Sequence, residues 1–310
     1  MIFYKRSFFK LLIDISIIGI LSYLVVCTLI FFKLSAVEPG HGNHRSNSPL
    51  AISWHGNVLT GPIKSYESIP FLSQLPDVKL DGWFMRHPTS NKIIIITHGY
   101  NASKHAPALI KIAWVFFSQG YNVLMYDSHN HGSSTVIDGR TALGSREYHD
   151  VIGAKQACMN LGFRPKNILY YGLSMGAVST LIAAQHDQDI QTVISQASFS
   201  DPSLIMKEEF QRKKIPLFLY HGSIFIANHL FRFPIGSKTP LNLDQTKISN
   251  LLIIHSSRDN RVGFHHSRLL IKYAKQANVP YKDLILDSTE HVDTIFEYDH
   301  EFRLFLNTYL

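Results

Sequence analysis

A mainly parallel sheet with helices on both faces, the α/β class, is what this 310-residue chain predicts. Two observations carry that expectation. From residue 93 onwards, β-branched apolar runs alternate with segments of helical spacing, and an unbroken run such as 93–97 (IIIIT) marks a strand buried on both faces. At 167–184 (NILYYGLSMGAVSTLIAA) a buried strand, a tight turn and a small-residue helix follow without a gap. The length suits one such domain of ordinary size plus an appendage.

The appendage comes first. Residues 11–32 are apolar except for Asp14 and a few small polar residues, long enough as a helix to cross ~30 Å of hydrocarbon. Asp14 lies within the first turn or so of the span, where reaching the interface costs less than at the centre. Lys5, Arg6 and Lys10 precede the run and Lys33 follows it. The positive-inside bias places the N-terminus in the cytoplasm and the rest beyond the membrane. A cleaved signal peptide would have a shorter core and a better site than Leu34-Ser35-Ala36. A lipid-modified Cys27 would want a small residue where Val26 stands. The expected division is 1–34 stub and transmembrane anchor, 35–50 linker, and 51–310 α/β domain. Residues 38–49, rich in Pro, Gly, Ser and Asn, should bury little and be mobile.

Residues 51–88 read as short strands and turns, with 78–85 (VKLDGWFM) a hairpin around Asp81-Gly82. The strand 93–97 delivers His98-Gly99-Tyr100-Asn101-Ala102-Ser103. A helix over 105–118 is ended by Gly120. Strand 121–127 (YNVLMYD) leads into the loop Ser128-His129-Asn130-His131-Gly132-Ser133-Ser134, then a helix over 145–161. After the strand–turn–helix come strand 191–197, strand 251–255 (LLIIH), helix 264–276, strand 281–286 and a terminal helix over 292–310. Chemistry in such sheets gathers at the carboxyl ends of the strands, in the loops after Thr97, Asp127, Leu173, His255 and Leu286.

The net charge of +7 points to anionic surfaces. Lipid headgroups fit better than nucleic acid, since no nucleic-acid motif is present and no basic run exceeds Arg212-Lys213-Lys214. Cys27 and Cys158 are not expected to pair, and neither has metal-ligand company. The 17 histidines are scattered, mostly in loops.

Gly172-Leu173-Ser174-Met175-Gly176 is a G-x-S-x-G pattern in the strand–turn–helix setting it requires. A serine hydroxyl attacks only when a base takes its proton and a shaped site holds the oxyanion. A sharp turn lifts Ser174 clear of the sheet, the flanking glycines remove colliding side chains, and the Met175 N–H is left at a helix N-terminus. The pentapeptide alone is weak, because glycine and serine are common in loops. A base, an acid and a second oxyanion donor must come from elsewhere.

Over residues 78–310 the chain resembles the α/β-hydrolase superfamily. The residues that carry the resemblance are His98-Gly99-Tyr100, the loop from Asp127 to Ser134, Gly172–Gly176, Ser257-Arg258-Asp259 and Glu290-His291. Within it, the chain resembles membrane-anchored bacterial hydrolases with an HGY-type oxyanion loop. The resemblance implies Ser174 as nucleophile, Asp259 as acid and His291 as base, in that order. It also implies oxyanion donors from Tyr100 and Met175, worth ~3 kcal/mol each. Loops at the ends of the last two strands can converge on the nucleophile turn. Plainer readings exist: His291 as a solvated loop histidine, Asp259 as a helix cap. Asp201 is the alternative acid, and Asp293 is too close to His291 in sequence to orient it. His98 supports the oxyanion loop. The loop of His129 and His131 departs from the pattern, with Asn130 where arginine usually stands. A metal on those two histidines would lack a carboxylate cluster, so no metal or cofactor is expected.

The insert, about 201–249, starts charged (Lys207-Glu208-Glu209, Arg212-Lys213-Lys214) and continues apolar and aromatic. It reads as a helical cap lining an acyl pocket or lying against lipid, or as an ordinary helix pair packed on the core. The function implied is a membrane-anchored serine hydrolase cleaving small-molecule or lipid acyl esters, on the periplasmic face of a bacterial inner membrane. The alternatives are a serine peptidase of prolyl-oligopeptidase type, disfavoured by the lack of a propeller and of acidic residues for an amine terminus, and a non-catalytic binding protein on the same fold.

Overall fold

The computed structural model describes residues 2–37 and 46–310, with side chains from residue 9 onwards. The middle of the expected linker, 38–45, lies outside the described residues. The N-terminal helix α1 (Ile2–Ser35) contains a stretch, Phe9–Ser35, long and apolar enough to cross a membrane.

A small hairpin, β1 (Ala51–Trp54) and β2 (Asn57–Thr60), stands apart from the main sheet. The main sheet has eight strands in the order β10-β9-β8-β7-β5-β6-β4-β3. They are β3 (Glu67–Leu72), β4 (Lys79–Met85), β5 (Ile93–Thr97), β6 (Asn122–Asp127), β7 (Ile168–Leu173), β8 (Thr192–Gln196), β9 (Asn250–Ser256) and β10 (Tyr281–Leu286). β3–β4 and β4–β6 pair antiparallel, and the other pairs are parallel. This is the α/β-hydrolase architecture.

Two cores sandwich the sheet, and β5 feeds both. Ile93 and Ile95 face the core built by α3 (Tyr148–Asn160), α4 (Met175–His186) and α7 (His265–Gln276). Ile94 and Ile96 face the core built by α2 (Pro107–Ser118) and α8 (Asp299–Tyr309). Alternation along the pleat makes this division, and each fully buried isoleucine contributes ~1.5–3 kcal/mol of burial.

The hairpin expected at 78–85 is not there: that segment is the single strand β4, paired on both sides. Asp81-Gly82 serves packing rather than a turn. A Cβ on Gly82 would lie 2.9 Å from the Phe71 ring, and the Asp81 carboxylate accepts a bond from Lys104 Nζ at 2.9 Å. The expected terminal helix is broken into a 3-10 turn (Asp293–Phe296) and α8. Two other helices start two or three residues later than expected, α2 at Pro107 and α3 at Tyr148. Pro107 sets the start of α2, because proline tolerates the first helical turn.

The insert forms α5 (Pro202–Arg212), α6 (Leu217–Phe225) and a π-helical turn (Ile226–Leu230). It carries its own apolar cluster, with Met206, Phe210, Tyr220 and Phe233 packed around Phe31 of α1. Both described ends of the expected linker are docked on the domain. Val37 N–H donates to Gly139 O at 2.8 Å, and buried Asn47 accepts from Ser53 N–H at 2.8 Å.

Candidate active site

The turn between β7 and α4 holds Ser174 at φ 52°, ψ −116°. A side chain in that region stores ~1–3 kcal/mol of strain, so its surroundings must enforce it. The enforcement is visible. Ser174 N–H donates to Gln196 O at 2.9 Å. A Cβ on Gly172 would come within 2.4 Å of Ala177 Cα, and one on Gly176 within 2.3 Å of Thr97 O. Both obstacles are backbone, so only glycine fits at either position.

His291 follows β10 and faces the serine, with Nε2 2.9 Å from Ser174 Oγ. Its Nδ1 lies 2.7 Å from Asp259 Oδ2. A carboxylate only accepts, so Nδ1 carries the proton and Nε2 is left to accept from the serine hydroxyl. The other Asp259 oxygen accepts from the Arg261 and Val262 N–H groups at 2.7 and 2.8 Å. Burial pushes the Asp259 carboxyl up, but the hydrogen bond and charge of His291, with the two N–H groups, outweigh it and hold it below the ordinary carboxylate value. The structure thus brings Ser174, His291 and Asp259 together in one chain of hydrogen bonds.

Asp201 is not in that chain. It caps α5, accepting from Ser203 and Leu204 N–H at 2.6 and 3.0 Å. His98 is clamped at both ring nitrogens: Nδ1–H donates to Gly99 O at 2.7 Å, and Nε2 accepts from Ser128 N–H at 2.9 Å. Burial lowers its pKa, so it is a neutral brace for the loop. That loop runs against the nucleophile turn, since a Cβ on Gly99 would sit 3.3 Å from Leu173 O and from Ser174 Cβ. Met175 is the first residue of α4, so its N–H has no carbonyl one turn back to bond. The Tyr100 hydroxyl donates to Ala36 O at 2.5 Å, tying the same loop to the residue after α1.

His129 and His131 stand away from this chemistry. Buried Asp150 receives the His129 ring at 2.7 Å. Burial pulls the His129 pKa down, but the charge and hydrogen bond of Asp150 outweigh it and raise the value overall. His131 donates Nδ1–H to His129 O at 2.9 Å, and burial, then His98, lowers it to about 4. Among the described residues, Glu208, His265 and His266 are the group close enough to hold an ion. Ser200 N–H donates to His266 Nδ1 at 3.1 Å, so Nε2 carries the proton that bonds Glu208 at 3.0 Å, and no lone pair is left for a metal there.

Three positioning residues were not foreseen. Gln196 Nε2 donates to Val292 O at 3.2 Å and to Thr294 Oγ1 at 3.1 Å, and Ser256 Oγ to Glu290 O at 2.6 Å, so the His291 loop is held from both sides. Gln196 and Ser256 end β8 and β9 and Thr294 lies in the 3-10 turn, with no motif around any of them. Above the triad lies a cleft of about 730 Å³. Its walls mix apolar groups (Trp54, Leu109, Leu143, Phe199, Met206) with Glu209, Arg212, Lys213 and Arg261. Ile30, Lys33 and Leu34 of α1 also line it, which the sequence did not foretell.

Comparison with known proteins meets this geometry at one point. The prolyl oligopeptidase family profile matches residues 110–304, which include all three residues of the hydrogen-bonded chain. The chain belongs to the prolyl oligopeptidase family. It is a serine hydrolase of the α/β-hydrolase fold. Among solved structures, an esterase of Pyrococcus furiosus aligns at TM-score 0.63 and 24% identity, over 79% of this chain and 91% of that one. An α/β hydrolase from Penicillium sp. aligns at TM-score 0.60 and 17% identity, over 79% of this chain and 97% of that one. An acylaminoacyl peptidase of Pyrococcus horikoshii aligns at TM-score 0.59 and 18% identity, over 80% of this chain and 42% of that one. At these identities the likeness is one of fold. No individual curated protein sequence matches the chain. Family membership and fold agree with the hydrogen-bonded Ser174 in placing this prolyl oligopeptidase family member among serine hydrolases.

Proposed function

We propose that this hydrolase is membrane-anchored and cleaves carboxylic acyl esters through Ser174, His291 and Asp259. The observation that carries the reading is the unbroken chain from Ser174 Oγ through both His291 nitrogens to Asp259, at 2.9 and 2.7 Å. His291 Nε2 takes the hydroxyl proton as Ser174 Oγ attacks the ester carbonyl carbon. The tetrahedral oxyanion is held by the N–H groups of Tyr100 and Met175, each worth ~3 kcal/mol. Collapse expels the alcohol, protonated by His291, and leaves an acyl-enzyme. Water, deprotonated by the same nitrogen, then releases the acid. Asp259 holds Nδ1–H in place and stabilises the imidazolium.

Esters are favoured over peptides by the cleft wall. An apolar lining suits an acyl chain, and Lys33, Arg212, Lys213 and Arg261 against Glu209 and Asp293 leave a net positive wall that repels the ammonium of a free peptide N-terminus. α1 serves as the anchor (1–34), 51–310 as the catalytic domain and 201–249 as its cap. Lys5, Arg6 and Lys10 ahead of the span support a cytoplasmic N-terminus, with the catalytic domain on the periplasmic side of a bacterial inner membrane. Peptide hydrolysis is the second reading, favoured by the family itself.

The test is a fluorophosphonate label on the solubilised full chain, wild type against Ser174→Ala. An adduct on wild type only is expected, and no Ser174-dependent adduct would sink both readings. A p-nitrophenyl ester series of rising chain length, set against peptide amides, then separates them. Faster ester turnover is expected, and faster amide turnover would favour the peptidase.

A further inference from the structure

Residues 215–231 of the cap contain no Asp, Glu, Lys or Arg, and Lys214 and Arg232 bound the gap. Of their outward side chains Phe218, Phe225 and Leu230 are large and apolar, 62%, 59% and 70% exposed, with His221 and His229 the exposed polar groups among them. The inward side of this segment packs on α1 (Ile2–Ser35). Tyr23 stacks on Phe218 and donates its hydroxyl to Phe218 O at 2.9 Å. Gly222 lies against Tyr23 and Cys27, and Ser223 Oγ donates to Cys27 O at 3.1 Å. Further along, Phe231 stacks on Phe31.

Those contacts fix a depth. Tyr23 lies ten residues before Lys33, roughly 15 Å along the axis at ~1.5 Å per residue. Lys10 and Lys33 are themselves roughly 35 Å apart by the same rise, and the hydrocarbon core is ~30 Å thick. The helix can therefore slide only a few ångströms before a lysine enters hydrocarbon. If α1 spans a bilayer, Tyr23 and the Phe218 stacked on it lie well inside one leaflet. The flanks of α6 (Leu217–Phe225) sit higher. Arg212 and Lys213 share the cleft with Lys33, and Phe231 is level with Phe31. The charges thus stay near the headgroups while the charge-free stretch between them dips.

We infer that the cap is immersed, to the depth of Phe218, in the leaflet on the catalytic-domain side, and that the cleft takes its substrate from that leaflet as an acyl lipid with an anionic headgroup. The inference rests on the anchored-esterase reading above. Ile30 lies inside the lysine-bounded span and Leu34 at the headgroup level of Lys33, and both wall the cleft, so an acyl chain reaches Ser174 along α1 without crossing water. At the rim stand Lys33, Arg212, Lys213 and Arg261. Glu209 pairs with Arg212 and Lys213, and Asp293 lies beside His291. Four cations against two carboxylates favour a phosphate-bearing headgroup with net negative charge.

Depth is measured on the full-length Ser174→Ala chain carrying Phe218→Cys, labelled with nitrobenzoxadiazole; Cys27 and Cys158 are buried. In vesicles of phosphatidylglycerol and phosphatidylcholine, a doxyl quencher on acyl carbon 12 should quench more than one on the headgroup. Stronger headgroup quenching, or none, overturns the immersion. Wild type should release fatty acid from phosphatidylglycerol vesicles roughly tenfold faster than from phosphatidylcholine vesicles. Equal rates overturn the headgroup assignment, and turnover of soluble p-nitrophenyl esters with neither lipid overturns the lipid substrate. Absence of any Ser174-dependent reaction would instead overturn the esterase reading, and the depth result, measured without Ser174, would stand apart from it.

Discussion

Asp201 and Asp259 each follow a core strand, and hydrogen bonding separates their work. Asp259 holds the His291 ring, whereas Asp201 holds the first turn of α5. Asp259→Ala should lower kcat roughly 10³–10⁴-fold with little change in KM. Asp201→Ala should leave kcat within a few-fold and cost about 1 kcal/mol of stability, as loss of a helix cap does. Steady-state kinetics and thermal melts on the pair decide it; the reverse pattern would make Asp201 the acid. The buried His129–Asp150 pair gives a pH signature. The folded His129 pKa is raised, so its stabilisation is complete below the unfolded value of ~6.5 and is lost as pH rises through the folded value. The Tm gap between wild type and His129→Gln should therefore narrow as pH rises through that window. A gap that widens would show that the pair is not ionised as described. Ser174, Asp259 and His291 were legible because their order along the chain is stereotyped. Gln196, Ser256 and Thr294 were not, since a hydrogen bond across three loops leaves no local mark.

The nucleophile turn, a β-strand joined tightly to a helix, was legible because strand, glycines and small-residue helix are contiguous. Its tolerance is correspondingly small. Gly176→Val would drive a side chain into Thr97 O, which is backbone and cannot yield. The expected result is a loss of about 3 kcal/mol or more, read as failure to accumulate folded protein. A gentler probe is Gly222→Leu in α6, where a Cβ meets the Tyr23 hydroxyl at 2.4 Å and Cys27 Sγ at 2.5 Å. It should push the cap off α1 and lower Tm by an amount equivalent to about 1–3 kcal/mol, while the fluorophosphonate adduct persists. An unchanged Tm would mean that the two helices are not packed as described. Residues 78–85 carry a hairpin signal and form one strand instead. Asp-Gly signals a turn only where the backbone is free to reverse, and at Asp81-Gly82 two neighbouring strands and Lys104 claim the segment first.

Over the molecule as a whole, α1 and the catalytic domain share one apolar cluster and one cleft. Removing residues 1–36 should therefore do more than remove a helix of membrane-spanning length. It would uncover Phe210, Tyr220 and Phe233 and take Ile30, Lys33 and Leu34 from the cleft wall. The expected outcome is association on size-exclusion chromatography and a rise in KM for long-chain esters larger than for acetyl esters. A monomeric truncated domain with unchanged chain-length preference would show that α1 only tethers. Periodicity, the G-x-S-x-G turn and the order of serine, acid and base are local or sequential properties. They could be read from residues 93–310 without coordinates, and they carry the α/β-hydrolase fold and the candidate triad. The use of Asp201 as a helix cap, the bracing of His291 by Gln196, and the entry of α1 into the cleft depend on which distant segments meet. Those meetings are made by the packing of two cores and a cap, and no stretch of the chain records them by itself.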